Sequence, residues 1–290
     1  MIVHAARTRR TECALVVAIA AGVWLWVADG AAAQRPWGWS QDRYRVEIPE
    51  RDIFPDNRFT FCRIRYTSYG ERPGGDYRGR WSIDYPESDV HFSWRLSELT
   101  TVNVRRDKDG GYYHVILDLT DEALFDYPFI YMLEVGNLIF SEEEVEALRS
   151  YLLRGGFLMV DDFWGEREWA NWVMQIERVL DPEEFPMAEL PLTHPIFNCV
   201  FVLDEKPQVP NPGHWSYTGG DTSEMGAESA TPHYKGIHDK NGRLMVVVCH
   251  NTDLGDGWER EGWNEDYFRE ISAKKAYPMG INIVVYALTH

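Results

Sequence analysis

The segment from Tyr127 to Val160 constrains the fold more than any other part of the sequence. It contains two apolar runs, "YPFIYMLEVG" and "FLMV", separated by "SEEEVEALRSYLLRGG". Ser141, followed three residues later by Glu144, is a helix capping box, and Gly155 stands where a left-handed C-cap residue belongs. The flanking runs do not alternate between apolar and polar residues, which is typical of strands buried on both faces. A strand, a helix and a strand joined by short connections predict a parallel unit with a right-handed crossover.

The same alternation of strands and helices recurs along the chain. We expect "DVHFSWRLSEL" to be a helix with Phe92, Leu96 and Leu99 towards the core. A hairpin is predicted at Asn241-Gly242. A strand is predicted in "FTFCRIRY" and further helices in "EWANWVMQIERVL" and "MGINIVVYALTH". The pattern predicts an α/β fold, a three-layer sandwich with a mostly parallel sheet.

The N-terminus resembles a secretory signal rather than part of the fold. Arg7, Arg9 and Arg10 precede the uncharged run "ALVVAIAAGVWLWV", and small residues follow up to Ala33. This order predicts a signal peptide over residues 1–33 and an exported, periplasmic protein. The apolar run is too short to span a membrane comfortably, and no other stretch is long enough, so no span is expected after cleavage. The alternative is an uncleaved N-terminal anchor.

The sequence after the predicted signal indicates one domain, preceded by an N-terminal arm and interrupted by a long loop. Residues 34–57 contain Trp, Tyr and Pro without any period, so we expect an N-terminal arm that packs on the domain. Residues 58–290 are predicted to form a single α/β domain. Residues 204–236, here called the flap, are too long and too rich in Pro and Gly for an ordinary connection, and loops of this length are usually functional or disordered. Three aromatic residues within the flap favour an ordered structure.

Charge and cysteine content argue against a nucleic-acid-binding protein and against a catalytic thiol. The sequence has 46 acidic and 29 basic residues, a net charge of −17, which repels nucleic acid and anionic lipid surfaces. Beyond the predicted signal the cysteines are Cys62, Cys199 and Cys249, an odd number without paired spacing. We expect them to be small buried residues rather than reactive thiols. One disulfide with a remaining free thiol stays open, because an exported protein meets an oxidising compartment.

Three of the predicted strands end next to clusters of acidic, amide and imidazole side chains. In open α/β sheets, ligands bind outside the carboxyl ends of the strands, so we expect these side chains to converge. The candidate ligand-binding residues are Glu134, Asp161, Asp162, Trp164, His250, Asn251, Asp253 and Asp256.

The chemistry of these residues leaves three interpretations open. Divalent cations such as Mg²⁺ and Ca²⁺ take oxygen ligands, so Asp161, Asp162 and Asp253 are candidate metal ligands. The same carboxylates, with Trp164, Trp258 and Trp263 nearby, could instead bind sugar hydroxyls. A purely structural alternative is that Asp162 caps the next helix while Asp253 and Asp256 form turns. No G-x-S-x-G, G-x-G-x-x-G, P-loop or H-E-x-x-H motif occurs in the sequence.

Several of these motifs together carry a resemblance to a known family. The run from "YPFIYMLEVG" to "FLMVDDFWGEREW", with "LPLTHPIF", "GRLMVVVCHNTDLGDGWE" and "KKAYPMGINIVVYALTH", resembles the bacterial family catalogued as domain of unknown function 4159. The likeness covers residues 58–290. It implies a fold similar to flavodoxin and to class I glutamine amidotransferases. It also implies export or membrane attachment and proximity to von Willebrand factor A type and MoxR-type ATPase partners.

The resemblance does not imply a reaction. An amidotransferase-like catalyst needs a cysteine at a strand-to-helix elbow, and Asp161-Asp162 occupies the corresponding position in this sequence. The first functional hypothesis is therefore a noncatalytic exported module that binds a protein or glycan partner in the cell envelope. The second is a metal-assisted hydrolase or carbohydrate-active enzyme that uses the acidic residues around a divalent cation.

Overall fold

The apolar runs of the sequence form one large sheet. The computed structural model describes residues 58–70 and 79–290, which belong to one compact unit. The predicted signal and arm lie outside the described residues. Seven strands make the sheet, and their bounds are β1 (Phe61–Arg65), β3 (His114–Asp118), β4 (Phe129–Leu133), β6 (Phe157–Asp161), β7 (Met187–Glu189), β8 (His233–His238) and β9 (Leu244–His250). Two short strands, β2 (Thr67–Ser68) and β5 (Leu138–Ile139), pair separately.

The strand order explains how residues far apart in sequence meet at one edge. The spatial order is β3-β1-β4-β6-β9-β8-β7, and the first five of these strands are parallel to one another. Numbered by their sequence in the chain, these five strands lie in the order 2-1-3-4-5. β8 and β9 form the predicted hairpin, and Gly242 supplies the positive φ of 83° at its turn. The prediction of an α/β fold with a mostly parallel sheet is confirmed.

Helices cover both faces of the sheet. They are α1 (Glu87–Leu99), α2 (Glu142–Leu153), α3 (Gly165–Val179), α4 (Pro212–Thr218), α5 (Leu254–Glu259), α6 (Glu265–Tyr267), a π-helical segment (Phe268–Ala276) and α7 (Tyr277–Thr289). Leu148 of α2 and Trp172 of α3 belong to the core on one face. Phe92 of α1, Trp258 of α5 and Ile281 of α7 belong to the core on the other face. This arrangement is consistent with a three-layer sandwich.

The best-defined helix signals of the sequence are present in the structure. Ser141 Oγ accepts a hydrogen bond from Glu144 N at 3.2 Å, and Glu144 Oε2 accepts one from Ser141 N at 2.7 Å. Gly155 follows α2 with a φ of 115°. The prediction for Leu99 was wrong: its side chain is 49% exposed, because it is the last residue of α1 and the chain turns away at Thr100.

The cysteines of the domain are free thiols. Cys62 and Cys249 are fully buried, and Cys199 is half-buried with its Sγ donating to the carbonyl oxygen of Asn282 at 3.2 Å. Burial raises the pKa of the Cys249 thiol well above its usual range. Both fully buried cysteines therefore pack as small apolar side chains. Within residues 58–70 and 79–290, no helix has the length and apolar character needed to cross a bilayer.

A buried ion pair fixes the segment that leads from the sheet into α1. The guanidinium of Arg63, on β1, contacts Asp89 at 2.5 Å, and both side chains are fully buried. It also donates to Ser88 Oγ at 2.8 Å and to the carbonyl oxygens of Trp81 and Ile83, each at 2.9 Å. Because one side chain binds four positions between residues 81 and 89, it determines where the intervening Asp84 lies.

This arrangement predicts that Arg63→Ala destabilises the protein strongly. Removing one partner leaves Asp89 buried without its counter-charge, which costs roughly 3–5 kcal/mol. Arg65→Ala is a matched control from the same strand. Its ion pair with Asp118 is 29% and 39% exposed, so its loss should cost less than about 1 kcal/mol. Urea unfolding at pH 7 measures both, and equal losses for the two variants would contradict the structural role assigned to Arg63.

Candidate functional site

Non-glycine residues with positive φ angles lie at the carboxyl edge of the parallel strands. Glu134, Asp162 and Asn251 immediately follow β4, β6 and β9, and their φ angles are 52°, 51° and 59°. Asp84, in the connection that follows β1, has a φ of 61°. Within the described ranges these are the non-glycine residues at positive φ, and all four lie at this edge. Such conformations cost on the order of 1–3 kcal/mol each and cluster at functional sites.

Backbone hydrogen bonds tie the three strand ends together. Glu134 N donates to the carbonyl oxygens of Asp161 and Asp162 at 3.2 and 2.9 Å. Asp162 N donates to the carbonyl oxygen of Thr252 at 3.2 Å, which links β6 to the segment after β9. Asn251 N donates to the carbonyl oxygen of Phe163 at 3.0 Å. The side chains at these positions are therefore held on a rigid frame.

Three aspartates from two separate segments meet beside this frame. Asp84, Asp253 and Asp256 are all buried, and one oxygen from each lies within 4.8 Å of the other two. Asp253 is the N-cap of α5, where its Oδ1 accepts a hydrogen bond from Asp256 N at 2.8 Å. Asp256 Oδ2 accepts one from Asn211 Nδ2 at 2.6 Å. With Glu134 and Asp162, these three residues define what we call the acidic crevice.

The adjacent carboxylates Asp161 and Asp162 have different surroundings. Asp161 is fully buried, and its Oδ2 accepts hydrogen bonds from Tyr131 Oη at 3.2 Å and from Gly255 N at 3.1 Å. Asp162 Oδ1 accepts one from Trp164 Nε1 at 3.2 Å. The N-cap residue of α3 is Trp164, which makes no side-chain cap, so Asp162 does not cap this helix.

Burial dominates the electrostatics of the crevice. It raises the pKa of Asp84, Asp162 and Asp253 well above the usual range, and repulsion from neighbouring carboxylates adds to the effect. The pKa of Asp161 is raised to about 7 by burial, although hydrogen bonds to its backbone neighbours and to Tyr131 oppose the shift. Burial also raises the pKa of Glu259 at the rim to about 7.

Two arginines pair with carboxylates of the crevice, and a third arginine nearby is engaged elsewhere. Arg80 contacts Glu134 at 2.5 Å, and Arg260 lies 3.7 Å from Asp256 while also pairing with Glu259. Arg63 is used in the buried pair described above. The crevice therefore keeps an excess of carboxylates over nearby cations.

The structure places His250 and Asn251 apart from the carboxylates. His250 packs against Phe163 and Trp169 on the opposite face of the sheet, with ring centroids 4.8 and 5.0 Å away. Burial lowers its pKa to about 4. Asn251 Oδ1 accepts a hydrogen bond from Gly165 N at 2.9 Å, and its Nδ2 donates to the carbonyl oxygen of Thr231 at 3.0 Å. Its side chain therefore joins α3 to the flap.

The flap contributes a residue to the crevice that no sequence motif marks. Asn211 caps α4 by accepting hydrogen bonds from Gly213 N and His214 N, and its amide group reaches Asp256. Asp84 was also missed. Its position in the segment that leads into α1 was the available signal, because a connection from a parallel strand to a helix begins at the carboxyl edge of the sheet.

Comparison with known proteins identifies the family. A sequence model described as Domain of unknown function (DUF4159) matches residues 60–288. The chain belongs to this family. No curated protein matches the chain. All the acidic residues of the crevice lie within the matched range, so the site is part of the family domain.

The raised pKa values predict an unusual dependence of stability on pH. A carboxyl group that is harder to ionise in the folded state favours folding below its unfolded pKa, and this contribution is lost as the pH rises through the folded value. For Asp161 that window extends from about pH 4 to about pH 7. We expect chelator-treated protein to be less stable at pH 8 than at pH 5.5 in urea unfolding.

The matched variants are Asp161→Asn and Asp118→Asn. The first removes a group with a raised pKa, so it should reduce the loss of stability between pH 5.5 and pH 8. Asp118 lies at the end of β3 on the same edge, but its side chain is 39% exposed and paired with Arg65. Its replacement should leave the difference nearly unchanged. Stability that rises steadily from pH 5.5 to pH 8 in the unmodified protein would contradict this electrostatic description.

Proposed function

We propose that the chain is an exported, noncatalytic module of the bacterial cell envelope, and that it binds a glycan or protein partner at the acidic crevice. The observation that carries this proposal is the convergence of Asp84, Glu134, Asp162, Asp253 and Asp256 on a rigid, strained edge of the sheet. Retaining backbone strain and buried charge at one place costs stability, which is expected where a ligand compensates for it.

The strand order supports a binding role at this location. The order 2-1-3-4-5 corresponds to the doubly wound, flavodoxin-like arrangement, in which ligands bind at the carboxyl ends of the strands. A fold similar to class I glutamine amidotransferases is proposed on the same basis. β6 ends at Asp161 and is followed by Asp162, so no cysteine stands at this elbow, which favours binding over amidotransferase chemistry.

Exposed aromatic rings favour a glycan as the partner. Trp263 is 57% exposed and Tyr217 is 92% exposed. The segments that carry them are joined by a hydrogen bond from Asn264 Nδ2 to Ser216 Oγ at 3.4 Å. Trp263 follows α5, whose first turn carries Asp256. Sugar rings stack on such side chains, while carboxylates accept hydrogen bonds from sugar hydroxyls.

The proposal is tested by calorimetric titration with purified peptidoglycan fragments and with neutral oligosaccharides, in the presence of Ca²⁺ and Mg²⁺. Trp263→Ala should weaken binding about tenfold, a loss of about 1.4 kcal/mol. Phe125→Ala is the control, because Phe125 is 46% exposed and packs against Tyr151 at the opposite edge of the sheet. The absence of binding to every glycan, or equal losses in both variants, would contradict a glycan partner.

A second candidate function is a metal-assisted hydrolase or carbohydrate-active enzyme at the same crevice. Asp161 and Glu259 favour it, because burial raises the pKa of each to about 7 and general acid–base groups work best near the operating pH. Incubation of the protein with the same glycans discriminates between the two functions. New reducing ends that appear with the unmodified protein and not with Glu259→Gln would establish the enzyme in place of the binding module.

A further inference from the structure

The acidic crevice contains a compact set of oxygen ligands. Asp84 comes from the segment before α1, and Asp253 and Asp256 come from the start of α5. Their exposed fractions are 9%, 4% and 3%, and one oxygen from each lies within 4.8 Å of the others. Two elements that are far apart in sequence thus present carboxylates to the same small volume.

An unpartnered oxygen gives a second and independent indication of a ligand. Asp84 Oδ2 is buried and has no hydrogen-bond partner among the described residues. A buried carboxyl oxygen without a donor or a cation is costly, so native structures seldom retain one without a role. This oxygen and Asp253 Oδ1 both lie close to Gly255, at the start of α5.

Gly255 leaves room next to that oxygen. A Cβ atom at this position would lie 2.6 Å from Asp84 Oδ2 and 3.3 Å from Asp253 Oδ1. Only glycine keeps the space between the two carboxylates open without a shift of their side chains. A hydrogen bond from Gly255 N to Asp161 Oδ2, at 3.1 Å, holds the backbone of Gly255 in this position.

The geometry points to a divalent cation site in which Asp84, Asp253 and Asp256 bind Ca²⁺ or Mg²⁺. Both are hard cations that take carboxylate oxygens. Two oxygens on opposite sides of Ca²⁺ lie roughly 4.6–5.2 Å apart, and on opposite sides of Mg²⁺ about 4.0–4.2 Å apart. The three oxygens are separated by at most 4.8 Å, so they are close enough together to bind one such cation.

The cation would also compensate for the excess negative charge. Arg260 lies 3.7 Å from Asp256, whereas Asp84 and Asp253 lack a comparable ion pair among the described residues. A bound cation supplies the missing positive charge and could in turn accept oxygen ligands from a partner. The inference rests on the proposed role of the crevice as the ligand site, but it is independent of the identity of the partner.

The test measures metal binding with the metal alone. The melting temperature of the full chain is recorded in EDTA and then with Ca²⁺, Mg²⁺, Mn²⁺ or Zn²⁺, and calorimetry gives the affinity and the stoichiometry. A single site filled at about 100 times its Kd should raise the melting temperature by roughly 5–10 °C. We expect this response to Ca²⁺ or Mg²⁺ with one ion per chain, and the larger response identifies the preferred ion.

Two variants and one control locate the site. Asp84→Asn should weaken cation binding at least tenfold, and Gly255→Ala should do the same by filling the space beside Asp84 Oδ2. Asp118→Asn removes one carboxylate from the same edge of the sheet, outside the cluster, and should bind the cation normally. Having two variants from different segments keeps the test valid if one of them fails to fold.

Several outcomes would overturn the inference. These are no response to Ca²⁺ or Mg²⁺, a response to Zn²⁺ alone, or an equal loss of affinity in Asp118→Asn, which would indicate general charge screening. Glycan binding without a cation response overturns the cation site and leaves the proposed function intact. A cation response without glycan binding supports the site and contradicts the glycan partner.

Discussion

The central constraint on this domain is the burial of several carboxylates at one edge of its sheet. Asp84, Asp162 and Asp253 are each at least 91% buried, and burial together with mutual repulsion raises the pKa of all three. A charge transferred from water into a protein interior is tolerated only with a compensating partner. The surrounding elements hold these side chains close together. A ligand that binds at this edge of the sheet therefore stabilises the folded protein more than a ligand bound elsewhere.

Three independent parts of the chain hold this arrangement in place. Arg63 positions the segment that contains Asp84, the hydrogen bonds among the strand ends fix Asp162, and Asn211 of the flap holds Asp256. The left-handed backbone at the strand ends adds a further cost on the order of kilocalories per mole. A protein selected for stability alone would replace these residues with glycine or neutral side chains. Their presence is the physical reason for assigning a function to this edge.

Much of the sheet could be predicted from the sequence, because its signals are local. The capping box at Ser141 and the turn at Gly242 lie beside the strands that they connect, and both predictions are confirmed. The strand ends at Glu134 and Asp162 could also be predicted, because each lies just after an apolar run. Asp84 was not, because its position depends on the distant Arg63. Alternation along β9 does explain why His250 lies on the opposite face from Cys249, since neighbouring side chains on a strand point to opposite sides.

A crystal structure of the protein grown with Mn²⁺ would locate the proposed cation site, because Mn²⁺ binds oxygen ligands as Mg²⁺ and Ca²⁺ do and is identified by its anomalous scattering. We expect one anomalous peak between Asp84, Asp253 and Asp256, at about 2.0–2.6 Å from an oxygen of each. The absence of an anomalous peak between these three carboxylates would contradict the cation site.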